Sequence, residues 1–370
     1  MNDYDYMRQA LKLAEKGRGC TSPNPMVGAV IVKDDRVIGQ GYHKHCGDFH
    51  AERNALASCT ESPAGSTLYV TLEPCCHYGK QPPCTDAIME VGISRVVVGT
   101  GDPNPAVAGK GIRILRDHGI QVTEHILEKE CRQLNEVFFH YIQTKRPFVV
   151  MKYAMTLDGK IAAYTGESKW ITGEQARQHV HMQRSRYTGI MVGVNTVLLD
   201  DPLLTCRVEN GRNPVRIICD SRLRTPLTSR IVQTAPQVPT VLATLCTDNE
   251  QKKVYEQKGC RVITVPEQKD GHIFLPSLMK ILGEEYEVDS ILLEGGAALN
   301  WSALECGIVQ KVQAYIAPKL FGGEKARSPI AGTGFAAPSE AVFLTNSKIT
   351  QLGEDFLIES EVVSNVHRNC

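Results

Sequence analysis

The chain has 370 residues, 42% of them hydrophobic and 22% charged, with 41 Lys plus Arg against 41 Asp plus Glu. That length suits roughly two domains of about 150 residues each. The composition excludes disordered, collagen-like and disulfide-scaffold classes, and the balanced charge excludes a global field that would draw nucleic acid or an anionic membrane.

The opening MNDYDYMRQALKLAEKG has no basic segment ahead of an apolar core, and no run of about 18 apolar residues follows anywhere, so a cytoplasmic protein is expected. Its thirteen cysteines are then reduced thiols, free for burial, metal binding or catalysis. Cys219 and Cys306 sit in apolar surroundings and read as small core residues, and Cys370 lies in a terminal tail.

From Tyr6 to Lys16, Met7, Ala10, Leu11 and Ala14 follow helical spacing, and Gly17 and Gly19 supply a stop. MVGAVIVKDDRVIGQGYH reads as a hairpin turning at Asp34 and Asp35. HAERNALASC is an expected helix, LYVTLEP a strand, CTDAIMEVG a helix, SRVVVGTG a strand, GKGIRILRDHG a helix and IQVTEHI a strand. Strands alternating with short helices predict an α/β sandwich whose sheet is largely parallel.

At HYIQTKRPFVV the pattern restarts, with Pro147 ending a helix, so a boundary falls near residue 145 and separates domains 1–145 and 146–370. Strands are expected at Phe148–Ala154, Gly189–Val194, Val215–Asp220, Thr240–Thr244, Arg261–Val265, Ser290–Glu294 and Val312–Ala317, with GEQARQHVHMQRSR the clearest helix. The second half is also α/β. No fixed-period repeat or low-complexity segment occurs.

Two segments carry metal chemistry. His50-Ala51-Glu52 opens a helix, and TLEPCCHYGKQPPC follows some twenty residues on. H-x-E followed by P-C and a further cysteine is the pattern of zinc nucleobase deaminases, in which one His and two Cys bind the metal and the Glu moves protons. His50, Cys75 and Cys84 are the expected ligands and Glu52 the general acid–base. Three protein ligands leave a fourth tetrahedral position for water, which separates catalytic from structural zinc. The thiols near helix starts are favoured as thiolates. Cys76, adjacent to Cys75, points elsewhere on the same backbone, whereas His77 is a rival fourth ligand that would close a purely structural site. Eight residues rather than two separate Cys75 from Cys84.

In the second half, LLEGGAALNWSALE reads as a strand, a glycine pair and a helix whose start can hold phosphate. It lacks G-x-G-x-x-G, and by itself such a pair is more often a tight turn than a cofactor site.

Taken together, SPNPMVGAV, GYH, HAE, TLEPC-x-H-x-G-K-x-PPC and GDPNP-x-VAGKG in the first half, with TLDGKIA, ESKWIT, VGVNTVLLDDP-x-LTCR and LLEGG in the second, resemble the bifunctional riboflavin-biosynthesis deaminase/reductase family over the whole chain. One departure is Cys76, where that family is expected to carry Ser. The resemblance implies a cytidine-deaminase-like α/β/α sandwich followed by a dihydrofolate-reductase-like α/β domain. It implies one zinc per chain, NADPH, a phosphoribosylaminopyrimidine substrate and a homo-oligomer, dimer or tetramer, with no nucleic acid or membrane partner.

The same resemblance points to Asn24, His43, Lys80 and Asp102 in the deaminase pocket. It places NADP along Ala154, Trp170, Thr196, Asp200, Ser221 and the stretch Gly296, Ala297, Ala298, Leu299, Asn300, Trp301 and Ser302. Substrate is expected at Ser168, Arg184, Leu204, Arg207 and Glu294, with Lys152 and Asp158 as polar helpers at the sugar. Asn24 offers donor and acceptor to a pyrimidine edge, and Lys80, Arg184 and Arg207 suit phosphate. Bland alternatives are a turn residue for Asn24, a solvated helix face for Arg184, a loop salt bridge for Arg207 and snorkelling for Lys152.

Two other functions compete. A zinc deaminase acting on a nucleic-acid base, with a C-terminal nucleotide-binding domain, would need a basic, aromatic-lined surface, against balanced charge and 6% aromatic residues. A non-catalytic protein with structural zinc would need His77 or Cys76 to complete the coordination.

Overall fold

The computed structural model describes residues 1–79, 81–268 and 271–363, and the chain divides into two compact units, the first Met1–Lys145 and the second from Arg146 onward. Of the residues singled out above, Lys80 and Cys370 lie outside the described ones.

In the first unit, helix α1 (Asp3–Ala14) begins at Asn2, whose side chain accepts the Asp5 N–H while the Asp5 carboxylate accepts that of Asn2, a reciprocal cap. Strands β1 (Gly28–Lys33) and β2 (Arg36–Tyr42) form the expected hairpin, with Asp34 and Asp35 at φ 47° and 58° in the left-handed region its tight turn requires. A Cβ on Gly28 would stand 1.9 Å from the Ala10 carbonyl oxygen, so glycine is what lets β1 run against α1. Then come α2 (Ala51–Ala57), β3 (Thr67–Leu72), α3 (Cys84–Glu90), β4 (Arg95–Thr100), α4 (Lys110–Asp117), β5 (Gln121–Thr123), α5 (Glu128–Leu134) and α6 (Glu136–Thr144).

The sheet order is β2-β1-β3-β4-β5, antiparallel around β1 and parallel from β3 onward. Alternate residues of each strand face opposite layers. Ile31, Leu68, Val70, Val96 and Val98 pack with α2, α3 and α4, whereas Val30, Tyr69 and Val97 pack with α1 and Cys131 of α5. Both sheet faces are therefore covered, and the unit is the expected sandwich. IQVTEHI yields only three strand residues, because His125 and Leu127 adopt positive φ and turn the chain into α5.

The second unit runs β6 (Phe148–Thr156), α7 (Glu174–Arg186), β7 (Gly189–Gly193), α8 (Val194–Asp200), β8 (Val215–Cys219), α9 (Arg230–Gln233), β9 (Thr240–Thr244), α10 (Asn249–Glu256), β10 (Arg261–Thr264), α11 (Leu275–Glu284), β11 (Ser290–Leu293), α12 (Ala297–Glu305), β12 (Val309–Ala317), β13 (Leu344–Leu352) and β14 (Asp355–Val362). Its sheet order is β10-β9-β8-β7-β11-β6-β12-β14-β13, parallel through β12 and antiparallel at the last two strands. Apolar runs such as ILL in β11 and IIC in β8 fit strands buried on both faces.

The hairpin β13–β14 was not expected. β13 (LTNSKITQL) is exposed along nearly its whole length, so it shows no apolar alternation. Arg216 in β8 is fully buried, with no carboxylate paired to it among the described residues; its guanidinium donates to the Thr234 and Thr240 hydroxyls and to the carbonyls of Leu203, Ile231 and Val238. Satisfying that donor fork is what makes the burial tolerable.

Candidate metal centre and reductase site

His50 is the residue from which α2 starts, and Cys84 is the first residue of α3. Cys75 lies in the loop after β3, where its backbone carbonyl accepts the N–H groups of Cys84 and Thr85 at 3.1 and 3.2 Å. These contacts bring His50 Nδ1 within 3.4 Å of both the Cys75 and Cys84 Sγ atoms, all three donor atoms lying within 4.8 Å of one another. The Cys84 N–H also donates to Cys75 Sγ at 3.4 Å. Hydrogen bonding from Cys84, and then from His50, holds the Cys75 thiol down at about 4, as thiolate.

One imidazole and two thiols, converging from two helix starts and a loop, fit a zinc ion in donor type and number. Neither rival joins them. His77 is exposed, and the Cys76 thiol points to the Ala106 carbonyl. Glu52, on the first turn of α2, is 3% exposed and contacts the Cys84 thiol. Burial pushes its carboxyl up to about 7.

The pocket residues named from the sequence surround this cluster in part. His43 is buried, and its ring meets that of His50 edge-on at 5.3 Å. Its Nδ1–H donates to the Phe49 carbonyl, leaving Nε2 to accept from the Asn24 amide at 3.2 Å. Burial lowers the imidazole's pKa, in keeping with that neutral tautomer. Asn24 is thus more than a turn residue; one of its amide hydrogens is already used on His43. Asp102 accepts the Asn104 N–H at 2.8 Å, and burial pushes its carboxyl up to about 6.

Several supporting residues went unnoticed in the sequence. Asn135 grips the 24–27 segment by exchanging two 2.8 Å hydrogen bonds with the Met26 backbone. Arg53 donates to the Pro83 carbonyl just ahead of Cys84, and Asn54 to the carbonyls of Tyr42 and Phe49. For Arg53 and Asn54 only their position on the H-x-E helix hinted at a role, and for Asn135 no sequence signal did.

In the second unit, the C-terminal ends of β6, β7 and β11 lie side by side, the edge at which ligands bind in parallel sheets. Glu294, just past β11, receives a two-pronged hydrogen bond from Arg184 of α7, at 2.7 and 2.9 Å, and lies 3.7 Å from Lys152 Nζ of β6. Burial raises the Glu294 carboxyl, but Arg184 and Lys152 outweigh it and hold the group at about 2.

Two sequence readings change here. Arg184 lies on no solvated face, and its fork is occupied by Glu294 rather than open to phosphate. Lys152 does not snorkel; it is largely buried, over the Tyr315 ring at 5.5 Å. The Asp158 carboxylate, expected as a helper at the sugar, accepts the hydroxyl of Thr156 and the N–H groups of Phe321 and Gly322, clasping that loop.

Leu204 is buried at φ 52°, Arg207 is exposed, and Ser168 is half-buried. His181, unnoticed in the sequence, has its pKa lowered by burial and then by the nearby Arg184 and Arg207.

Helix α12 starts at Gly296, where a Cβ would be 3.9 Å from Thr196 Oγ1, so Thr196 and the glycine pair are neighbours. Ala154 and Ser221 are half-buried, and Asp200 is exposed. Trp170 is exposed beneath the Arg177 guanidinium, 4.8 Å above its ring. Asn300 and Trp301 turn away from the helix start: the first donates to the Pro329 carbonyl and the second packs on Phe335. Within 296–302, then, the first turn of α12 carries the open backbone N–H groups.

Fold and site together define a deaminase-type zinc-binding unit joined to a mixed α/β reductase unit. The model for the cytidine and deoxycytidylate deaminase zinc-binding region matches residues 1–100, and that for the RibD C-terminal domain matches residues 147–358. The chain belongs to the riboflavin biosynthesis protein RibD family. The RibD of Actinobacillus pleuropneumoniae is 52% identical over 364 residues, covering 98% of this chain and 96% of its own; that of Escherichia coli is 40% identical, covering 96% and 98%. A solved diaminohydroxyphosphoribosylaminopyrimidine deaminase/5-amino-6-(5-phosphoribosylamino)uracil reductase from Thermotoga maritima superposes with a TM-score of 0.85 at 38% identity, covering 98% of this chain and 99% of that one.

Proposed function

We propose that residues 1–145 hydrolytically deaminate a diaminopyrimidinone carrying a phosphoribosylamino group, and that residues 146–370 reduce its ribosyl part to ribityl with NADPH. The observation that carries this reading is the convergence of His50, Cys75 and Cys84 beside the buried Glu52. It is supported by membership of the RibD family along nearly the whole chain.

His50, Cys75 and Cys84 would hold zinc, whose Lewis acidity makes water a nucleophile near neutral pH. The deamination consumes water, replaces a ring amino group by a carbonyl and releases ammonia. Glu52, poised at about 7, accepts one proton from the water and delivers it to the ring nitrogen, then carries the second, from the added hydroxyl as that becomes the carbonyl, to the departing amine. Asn24, held by His43, meets the pyrimidine edge, with Asp102 beside it, and the family resemblance assigns Lys80 to the substrate phosphate.

NADPH, when bound, supplies hydride to the sugar C1, and the ring oxygen takes a proton as it becomes a free hydroxyl. Lys152 Nζ is the buried cation placed to provide that proton, because burial lowers its pKa and Glu294 holds its position. The start of α12 beside Thr196 is where a cofactor phosphate would sit. Arg207, exposed, is free to meet the sugar phosphate that the fork of Arg184 does not reach. On the family resemblance we place the enzyme in the cytoplasm as a homo-oligomer. No helix among the described residues is long and apolar enough to cross a membrane.

The test is NADPH oxidation on addition of the diaminopyrimidinone substrate, with and without a zinc chelator. Chelator-sensitive oxidation is expected. No oxidation even with the already deaminated compound would defeat the reductase assignment.

A further inference from the structure

Beside the metal cluster sits a carboxylate that the chemistry above does not use. Glu73, two residues before Cys75, is 4% exposed, and its Oε atoms accept four backbone N–H groups: Asp102 at 3.3 Å, Gly109 at 2.9 Å, Gly111 at 3.0 Å and Ile112 at 3.3 Å. No positively charged side chain is among these partners.

Three of these donors belong to the start of α4. That helix begins after Gly109, a residue with no side chain to cap it, at φ 78°. The four N–H groups opening a helix have no partner within it, and a carboxylate there is favoured both as acceptor and by the helix dipole. Glu73 therefore caps α4 from a distant part of the chain. The fourth donor is the backbone of Asp102 itself.

The same short segment caps a second helix. The carbonyl of Cys75 accepts the first N–H groups of α3, the helix that carries Cys84. Residues 73–75 thus span two helix starts, with one metal donor on the segment and another on α3. Close packing locks the span: a Cβ on Gly111 would stand 2.2 Å from the Pro74 carbonyl oxygen. Any side chain at 111 must push Pro74, and with it Cys75, away from α4.

We infer that Glu73 is a positioning residue of the deaminase centre, setting the placement of Cys75 and of Asp102 by tying both to the start of α4. This rests on the deaminase reading proposed above. A capping carboxylate that served stability alone would leave the metal site and pocket unchanged in the folded molecule. One that positions must change them.

The experiment uses the full chain with Glu73→Gln and Gly111→Ala. Glutamine keeps the shape but turns an NH2 group onto two of the four donors. Alanine favours the helix yet forces Pro74 outward, so it probes the same displacement without touching the carboxylate. Zinc affinity is read by competition with a chromophoric chelator, and deaminase KM and kcat are followed separately from reduction of the already deaminated compound. Both variants are expected to bind zinc about tenfold more weakly, in line with residues that orient metal ligands, and to show a raised deaminase KM, with reductase kinetics unchanged.

Wild-type zinc affinity and KM in the two variants, with only the melting temperature lowered, would overturn the inference, as would an effect in Gly111→Ala but none in a folded Glu73→Gln. Should Glu73→Gln not fold, Gly111→Ala decides alone. Failure of the wild type to bind zinc through His50 would remove the deaminase reading itself, and the inference with it.

Discussion

Replacing Arg184 with methionine removes both hydrogen bonds to Glu294 while keeping the aliphatic bulk of the side chain. The Glu294 carboxyl lies at about 2 against an ordinary value of 4.5. That difference corresponds to about 3 kcal/mol of stability, similar to the roughly 3–5 kcal/mol lost when one partner of a buried pair is removed. Because the folded pKa is depressed, the contribution is fully present above the unfolded value near 4.5 and fades as pH falls towards 2. Lys152, 3.7 Å away, retains part of the compensation, so about 3 kcal/mol is an upper figure.

For a unit of this size the loss corresponds to a fall in Tm of about 6–12 °C at pH 7. The assay is thermal unfolding followed by tryptophan fluorescence, which reports on this unit alone because both tryptophans, Trp170 and Trp301, belong to it. The gap between wild type and variant should narrow by about 1 kcal/mol between pH 6 and pH 4. An unchanged Tm at pH 7, or a gap independent of pH over that range, would refute the electrostatic reasoning.

Glu52→Gln should lower deamination by roughly 10²–10⁴-fold while one zinc per chain remains by metal analysis; an unchanged rate would remove Glu52 from the proton transfers. Chelation should abolish turnover of the diaminopyrimidinone but leave reduction of the deaminated compound intact, measured as NADPH oxidation. Asn24→Ala should raise the deaminase KM without displacing zinc, since the residue bonds to His43 rather than to a metal ligand. Arg216→Met, which leaves the Ile231 carbonyl without its guanidinium donor and removes the bonds to the Leu203 and Val238 carbonyls and to two threonine hydroxyls, should cost about 3 kcal/mol by urea denaturation.

The chemistry-bearing residue types were legible because metal chemistry demands them in short, local patterns. H-x-E at 50–52 and the two cysteines at 75 and 84 could be paired by chemistry before any geometry was known, and the short apolar runs LYV of β3, VVV of β4 and ILL of β11 marked buried strands.

Tertiary structure decided whatever depends on a partner far along the chain. The threonine- and lysine-bearing β13 became a strand only by pairing with β14, since an exposed strand has no apolar period to read. Arg184 reads as a phosphate ligand until folding puts Glu294, 110 residues away, into its fork. Glu73 looks like one acid among many until it meets the bare start of α4. The physical reason is the same in each case: periodicity and spacing record local geometry, whereas the use of a charged fork or carboxylate is set by whichever donor or acceptor the fold buries beside it.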